Sequence, residues 1–467
     1  MTIGIWIPRG RHFNGITVFT LYWILCGILS AQTLDHAPDD AFLLPESAVP
    51  SSAGADGLST LSPLVPEPAD FGTDVINAFA ADPLGPMTDP NIDAVPAFGE
   101  PEMETVDMPT EAGNKLRRIR PYLKSGVTYD DNIFITNTNR TADIIYNVVG
   151  GFTFEIGDYR ALQNNYLLLN YLASGFFFTN HPAQNSLDQS YSLLAQYRIT
   201  QLAIQFESTF QSLDGADRQV GAFTTRLLFF NALRLLYAKS EKTELEFEIN
   251  QRTSYYPEQL SSYTLEAQLA FDYKIQPKLS MGLQGVFGLN QVQESPNRWY
   301  QTLNARLNYD VAEKLVLKTS VGVQLNEYAG GGEPMRILPV FSVGGEYQLL
   351  QKTTLFLNAY RNIQGSPSLA GQDYIATGAD LGFKQKIAEK ITLGLALGYE
   401  NDFYIANVDR VDATRVDNFY FFRPGVSYSF LKYLDANLSY EYRYNSSTLQ
   451  QDTWFDNRVN FELTMDF

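Results

Sequence analysis

The residues of this chain that could do chemistry are mostly charged side chains placed two apart. Glu244, Glu246 and Glu248 alternate with apolar residues, as do Glu441 and Arg443 near the C-terminus. Alternate residues of an extended strand point to one face. Acids and bases on facing walls of a pore order water and sort solutes by charge; the alternative for any single one is that it only keeps the wall polar. The predicted wall-lining set is Glu244, Glu246, Glu248, Arg306, Arg423, Glu441 and Arg443.

Catalysis and metal binding have little support in the residue types. The chain has one cysteine and three histidines: Cys26, His12, His36 and His181. None of them falls in a predicted strand, so neither a histidine base nor a cluster of zinc ligands can be assembled there. Asp130, Asp131 and Asn132 could bind a hard cation, but a turn at a strand end explains them equally well. We therefore predict no enzyme activity, no metal and no cofactor.

The N-terminus has the pattern of a secretory signal. Arg9 and Arg11 precede an apolar run over residues 15–30, and Leu29-Ser30-Ala31 offers a cleavage site. A basic start, a short apolar core and small residues at its end are typical of a cleaved signal peptide. We predict a signal peptide over residues 1–31 and export from the cytoplasm.

The next segment, residues 32–113, differs from the rest in composition. It holds 16 Asp or Glu, no Lys or Arg, and 12 of the 22 prolines. Such a segment buries too little apolar surface to offset its ordering entropy, so we predict a disordered, acidic periplasmic tail. A spacer is the favoured role, with a plug for a pore or an arm that binds a periplasmic partner as alternatives. Residues 114–467 carry 36 acids and 32 bases and offer no basic face for nucleic acid.

From Arg120 onward the sequence alternates with a period of two. In the last strand, Val459, Phe461 and Leu463 point one way while Asn460 and Glu462 point the other. Counting such segments gives 18 strands, with 16 as an alternative because alternation is weak over 161–178 and 219–236. An even number places both chain ends on the same side.

A tight corner that ends in a lysine repeats along the chain and marks successive hairpins. The lysines are Lys278, Lys314, Lys352, Lys390 and Lys432. Longer polar connections lie between these corners. Short turns at one rim and longer loops at the other are typical of bacterial outer-membrane barrels.

A soluble β-protein also alternates, so the dry face has to be identified by other means. The predicted strands are about 12–16 residues long, whereas globular strands average about 5–6. Their polar faces carry several charges in line, which a packed core would not tolerate unpaired. We predict an all-β fold, a transmembrane antiparallel up-and-down β-barrel over residues 114–467. Its outer face would contact the lipid of a Gram-negative outer membrane.

One short motif resembles a known family. The run Tyr129, Asp130, Asp131, Asn132, Ile133 and Phe134 is similar to the opening strand of the β-barrel porin 2 family. The resemblance implies an outer-membrane location and a porin-like architecture, and some relatives are associated with exopolysaccharide export. The last strand resembles the signal that the barrel-assembly machinery recognises, with Leu463, Met465 and Phe467 at its apolar positions.

The predicted function follows from the width of the barrel. Sixteen to eighteen strands enclose more space than side chains fill, which leaves a water-filled passage. We predict a porin-like channel for passive diffusion of small polar solutes. A barrel component of exopolysaccharide export and a structural outer-membrane anchor with a periplasmic tail are the alternatives. The solute and the oligomeric state stay open.

Overall fold

The computed structural model describes residues 117–157, 165–311, 314–330, 334–408, 411, 414–431 and 433–466. The predicted signal peptide and acidic tail lie outside these residues. The described residues form one antiparallel sheet of 18 strands, in which β1 pairs with both β2 and β18 and so closes a barrel. The strands are β1 Arg117–Asp130, β2 Asp143–Ile156, β3 Tyr166–Phe178, β4 Ser186–Ile199, β5 Leu202–Asp217, β6 Ala222–Ser240, β7 Thr243–Tyr255, β8 Ser262–Gln276, β9 Leu279–Val292, β10 Arg298–Val311, β11 Leu315–Tyr328, β12 Arg336–Leu350, β13 Thr353–Gly365, β14 Gln372–Ala388, β15 Ile391–Ala406, β16 Val416–Leu431, β17 Leu434–Ser447 and β18 Trp454–Asp466.

The predicted fold and the count of 18 strands are confirmed, and several strands need corrected bounds, among them β1, predicted over 122–134, and the two least regular strands. β3 begins at Tyr166 rather than at 161, and β6 runs from Ala222 to Ser240 rather than over 219–236. The start of β6 moves because residues 218–221 form a turn. Gly221 has φ +73 in that turn, a left-handed conformation that glycine adopts without a steric penalty.

The two faces of each strand differ in chemistry as predicted. On β18, Val459, Phe461 and Leu463 are 44%, 42% and 40% exposed, while Glu462 and Thr464 are each 3% exposed. The exposed side chains lie outside the barrel and the buried polar ones lie inside. Polar residues therefore cover the interior, and apolar residues cover the exterior.

This distribution is the reverse of that in a water-soluble protein, and it indicates that the outer face contacts lipid. A continuous apolar exterior of this kind would be a large exposed patch in water, but it matches the hydrocarbon of a bilayer. The strands are 13 to 19 residues long, more than the roughly 9–11 that a tilted strand needs to cross a membrane. The barrel is therefore transmembrane, with strand ends that project beyond the bilayer. Among the described residues, no helix is long and apolar enough to cross a membrane.

The lysine corners form the rim of short turns, here called the turn rim; the opposite end is the loop rim. The carbonyl oxygen of each described corner lysine accepts a hydrogen bond from the backbone of the following hairpin. These bonds are 2.8 Å from Asp310 N to Lys278 O, 2.7 Å from Gln348 N to Lys314 O, 2.9 Å from Lys386 N to Lys352 O and 2.9 Å from Ser429 N to Lys390 O. Lys432 lies outside the described residues. The repeat therefore reflects a shared backbone geometry at the turn rim.

Candidate functional site: the barrel interior

All seven predicted wall-lining residues lie on the inner face of the barrel. Each pairs in register with inner-face residues of the neighbouring strands. Three lie on β7, one on β10, one on β16 and two on β17: Glu244, Glu246, Glu248, Arg306, Arg423, Glu441 and Arg443. Their role in a pore stays a prediction, but their placement on the wet wall is a property of the structure.

Arginines of β6 and β10 pair with two of the three predicted glutamates of β7, Glu246 and Glu248. Arg234 on β6 contacts Glu246 at 3.2 Å and Glu248 at 2.6 Å. Arg306 on β10 approaches Glu246 at 2.9 Å and Asp272 on β8 at 3.7 Å. These pairs tie four strands together across the inner face. Glu246, Glu248 and Asp272 are therefore paired with positive charge.

A second charged network covers the wall formed by β16, β17, β18 and β1. Arg423 donates to Glu441 at 3.0 Å, and Arg443 donates to Asp456 at 3.0 Å. Arg458 lies between Asp456, at 3.1 Å, and Asp130, at 2.9 Å. The network spans the seam at which the first and last strands meet. It carries both signs of charge, as the first network does.

The hairpin that joins β5 to β6 crosses the interior near the loop rim. Its turn, residues 218–221, contacts β15, which lies on the far side of the barrel in the strand order. Arg218 is bonded to Glu400 and lies 3.2 Å from Asp402. Both carboxylates are fully buried. We call residues 217–222 the cross-lumen hairpin.

Gln219 and Arg218 anchor the hairpin in different ways. Gln219 donates to Asp402 at 2.9 Å and accepts from the Tyr404 hydroxyl at 3.0 Å. Burial alone would lower the pKa of Arg218, but the charges of Glu400 and Asp402 outweigh it and raise the pKa above its ordinary value. The guanidinium in the turn therefore stays charged.

Further contacts fix the base and the top of the hairpin. The Asp217 carboxylate accepts from the backbone N–H of Gln219 at 2.8 Å and from the Tyr256 hydroxyl at 2.9 Å. Ser368, in the connection between β13 and β14, donates to the backbone oxygen of Gln219 at 3.0 Å. An apolar cluster lies beside it, formed by Ile135, Ala216, Phe419 and Trp454. The interior is thus narrowed by a hairpin that four parts of the chain hold in place.

A glycine makes room for one of these anchors. The Tyr360 hydroxyl is bonded to Glu400, and its ring lies over Gly378 on the neighbouring strand. A Cβ at Gly378 would lie 2.6 Å from that ring. Only glycine allows the tyrosine to lie flat against the wall and reach the buried carboxylate.

The motif over residues 129–134 lies at the seam between β1 and β18. Asp131 accepts from the backbone N–H of Asn457 at 2.8 Å. Asn132, fully buried, donates to the backbone oxygens of Thr136, at 3.0 Å, and Phe455, at 2.9 Å. Tyr129 faces outward, and Phe134 packs edge-on against His181 and Phe223. These contacts join the first loop to the last strand.

The same region contains three carboxylates close enough to share an ion. Asp130, Asp131 and Asp456 have ligand atoms within 4.8 Å of one another. Asp130 and Asp456 already contact Arg458, and Asp131 contacts Arg140 at 3.1 Å. Because arginines neutralise these acids, the cluster is explained as part of the wall network. The predicted assembly signal lies at the other end of β18: Leu463 pairs with Ser125 and faces outward, and Phe467 lies outside the described residues.

Sequence reasoning missed the cross-lumen hairpin. It placed a loop between two strands at this point but assigned no role to Arg218 or Gln219. The available signal was a charged, glycine-containing turn, DGADRQVG, which does not show whether the turn points outward or inward. Sequence reasoning also missed Arg234 as the partner of the predicted glutamates.

Comparisons with known proteins give a fold resemblance alone. No family model matches the sequence, and no curated protein is similar to it. Among solved structures, outer membrane protein OpdK of Pseudomonas aeruginosa aligns with a TM-score of 0.40 at 10% identity, over 75% of this chain and 98% of that one. OccAB3 of Acinetobacter baumannii gives 0.40 at 11% identity, over 75% and 99%. Pseudomonas aeruginosa OccK2 (OpdF), solved with glucuronate, gives 0.42 at 9% identity, over 75% and 98%. Similarities of this size say nothing about the solute of this chain, and the resemblance to the β-barrel porin 2 family stays a prediction.

Proposed function

We propose that this chain is an outer-membrane channel for passive passage of small polar solutes, narrowed near the loop rim by the cross-lumen hairpin. One observation carries the proposal: an apolar exterior surrounds a closed interior lined with acids and bases. The exterior suits hydrocarbon, while the interior holds water and charged groups. Such a barrel provides a polar path through a membrane.

The two charged networks define the class of solute. One lies on β6 to β10, around Glu246, and the other on β16 to β1, around Asp456. Facing walls that carry paired charges of both signs offer polar contacts along the path, which favours polar and dipolar solutes over apolar ones. The cross-lumen hairpin crosses the route that a polymer would take through the barrel. Its position therefore favours passage of small solutes over export of a polysaccharide.

Conductance of the mature protein in planar bilayers tests the proposal. We expect discrete, reproducible current steps, and swelling of liposomes in solutions of small polar solutes but not of large ones. A second preparation without residues 32–113 separates a closed barrel from a tail that plugs it. Absence of conductance and of swelling in both preparations would contradict the channel function.

A further inference from the structure

Five lysines at successive corners form a row along the turn rim. Each immediately precedes a strand, and all five are exposed. The backbone oxygen of each is fixed by a hydrogen bond, including 2.8 Å from Lys274 N to Lys242 O, so the row has a regular spacing. The lysine row is Lys242, Lys278, Lys314, Lys352 and Lys390.

The spacing of the row makes its charges act together. Successive lysines are separated by one hairpin, which is two strand spacings, or roughly 10 Å. At about 0.01 M salt the Debye length is about 30 Å, so neighbouring charges act together, whereas at physiological salt, where it is about 8 Å, they are largely screened. In the sequence, Glu241, Asp310, Glu313 and Glu389 lie at or beside these corners, but the additional lysines Lys239, Lys274, Lys384 and Lys386 outweigh them together with the row. The rim therefore carries a net positive band on this side of the barrel.

The acidic tail is attached at the same rim. The β1 strand begins at Arg117, which pairs with Ile156, the last residue of β2, and β2 ends on the same rim as the even-numbered strands before each row lysine. Residues 32–113 come just before this point and carry 16 acids with no Lys or Arg. A flexible chain of about 80 residues has an average reach of roughly 50 Å, enough to follow the rim. Tethering also gives the tail a high effective concentration at any site within reach.

We propose that the acidic tail, residues 32–113, docks along the lysine row at the turn rim. Complementary charge, a shared rim and sufficient length all support this occupant. The contact is multivalent and electrostatic, made by many carboxylates on five or more ammonium groups. Each pair at an exposed surface is weak, so docking depends on the number of pairs and on salt.

A spin label on the tail of the mature protein measures this docking. The mature sequence has no cysteine, because Cys26 lies in the predicted signal, so Ala80→Cys gives a unique site. The label is placed in protein reconstituted into neutral phosphatidylcholine vesicles. We expect slow label motion at about 0.01 M salt and fast motion at about 1 M, as the Debye length falls from about 30 Å to about 3 Å.

Two five-residue variants of the lysine row separate charge from side-chain identity. Replacing all five by arginine keeps the charge and should keep the label slow. Replacing all five by glutamine should make the label as mobile at low salt as at high salt. Carbodiimide cross-linking of the wild type should join tail carboxylates to row lysines, and mass spectrometry locates the links. Equal label mobility in the wild type and the glutamine variant, or links that avoid the row, would overturn the proposal whether or not the barrel conducts.

Discussion

Replacing Arg218 by alanine should widen the constriction near the loop rim. The guanidinium lies between Glu400 and Asp402 on the far wall, and its side chain is 3% exposed while theirs are fully buried. Removing it leaves two buried carboxylates without their cation. They then favour states in which water reaches them, and such states require the cross-lumen hairpin to move away.

The size of the effect follows from the burial of the pair. Breaking a buried ion pair by removing one partner costs about 3–5 kcal/mol. Each 1.4 kcal/mol is a factor of ten, so the preference for the docked hairpin over undocked states falls by roughly 10²- to 4 × 10³-fold. A hairpin that is docked almost all the time in the wild type would then be undocked for a measurable part of the time in the Arg218→Ala variant.

Single-channel recording of the Arg218→Ala variant measures the change. We expect a larger main conductance or frequent steps to a higher level, while the wild type holds a lower one. Arg361→Ala is the matched control, because Arg361 lies on the outer face, where it bonds Thr377, and its loss should leave conductance unchanged. Adding Glu400→Gln to the arginine variant should moderate the effect, since one unpaired charge is removed. A folded Arg218→Ala protein with wild-type conductance would refute the role of the hairpin.

Three further substitutions test other parts of the structure. Asn132→Ala should lower the free energy of unfolding by about 1–3 kcal/mol, because it removes hydrogen bonds from a buried side chain to the backbone of Thr136 and Phe455. Exposed Thr138→Ala should leave that free energy unchanged, and urea titration in vesicles compares the two variants. Phe461→Arg should destabilise the barrel by about 2–4 kcal/mol for a position at mid-bilayer, because it places a charge on the lipid-facing side. Asn460→Arg, one residue away on the inner face, should cost much less. A similar cost for both variants would contradict the assigned faces. Gly378→Ala should displace the Tyr360 ring from Glu400 and raise conductance, as Arg218→Ala does; unchanged recordings would show that this tyrosine does not hold the hairpin.

The strands and their faces could be read from the sequence because their cause is local. Neighbouring side chains of a strand point to opposite faces, so the alternation around Leu463 separates an apolar face from a polar one, and strand length and charge placement then indicate which face meets lipid. The repeated corner lysines marked the turn rim in the same way. Errors appeared where the signal was weak: β3 and β6 have long apolar runs, such as LLFF at 227–230, in which no alternation shows where the strand begins.

The partners of the interior charges could not be read from the sequence. Glu246 was predicted to line the wall, but its contacts with Arg234 and Arg306 depend on the register of four strands. Register is set by the whole sheet, and a shift by one residue would reverse every face. The motif at Asn132 was recognised by its resemblance, yet its contact with Phe455 became visible only when the barrel closed.

The sequence by itself determined a membrane barrel of 18 strands with a wet interior, because period-two patterning acts between adjacent residues. Only the tertiary structure decided what narrows that interior. Arg218 and Glu400 are 182 residues apart in the chain and meet because closure brings opposite walls within reach of one hairpin. No local pattern encodes such a contact, since it depends on the curvature and width of the closed sheet.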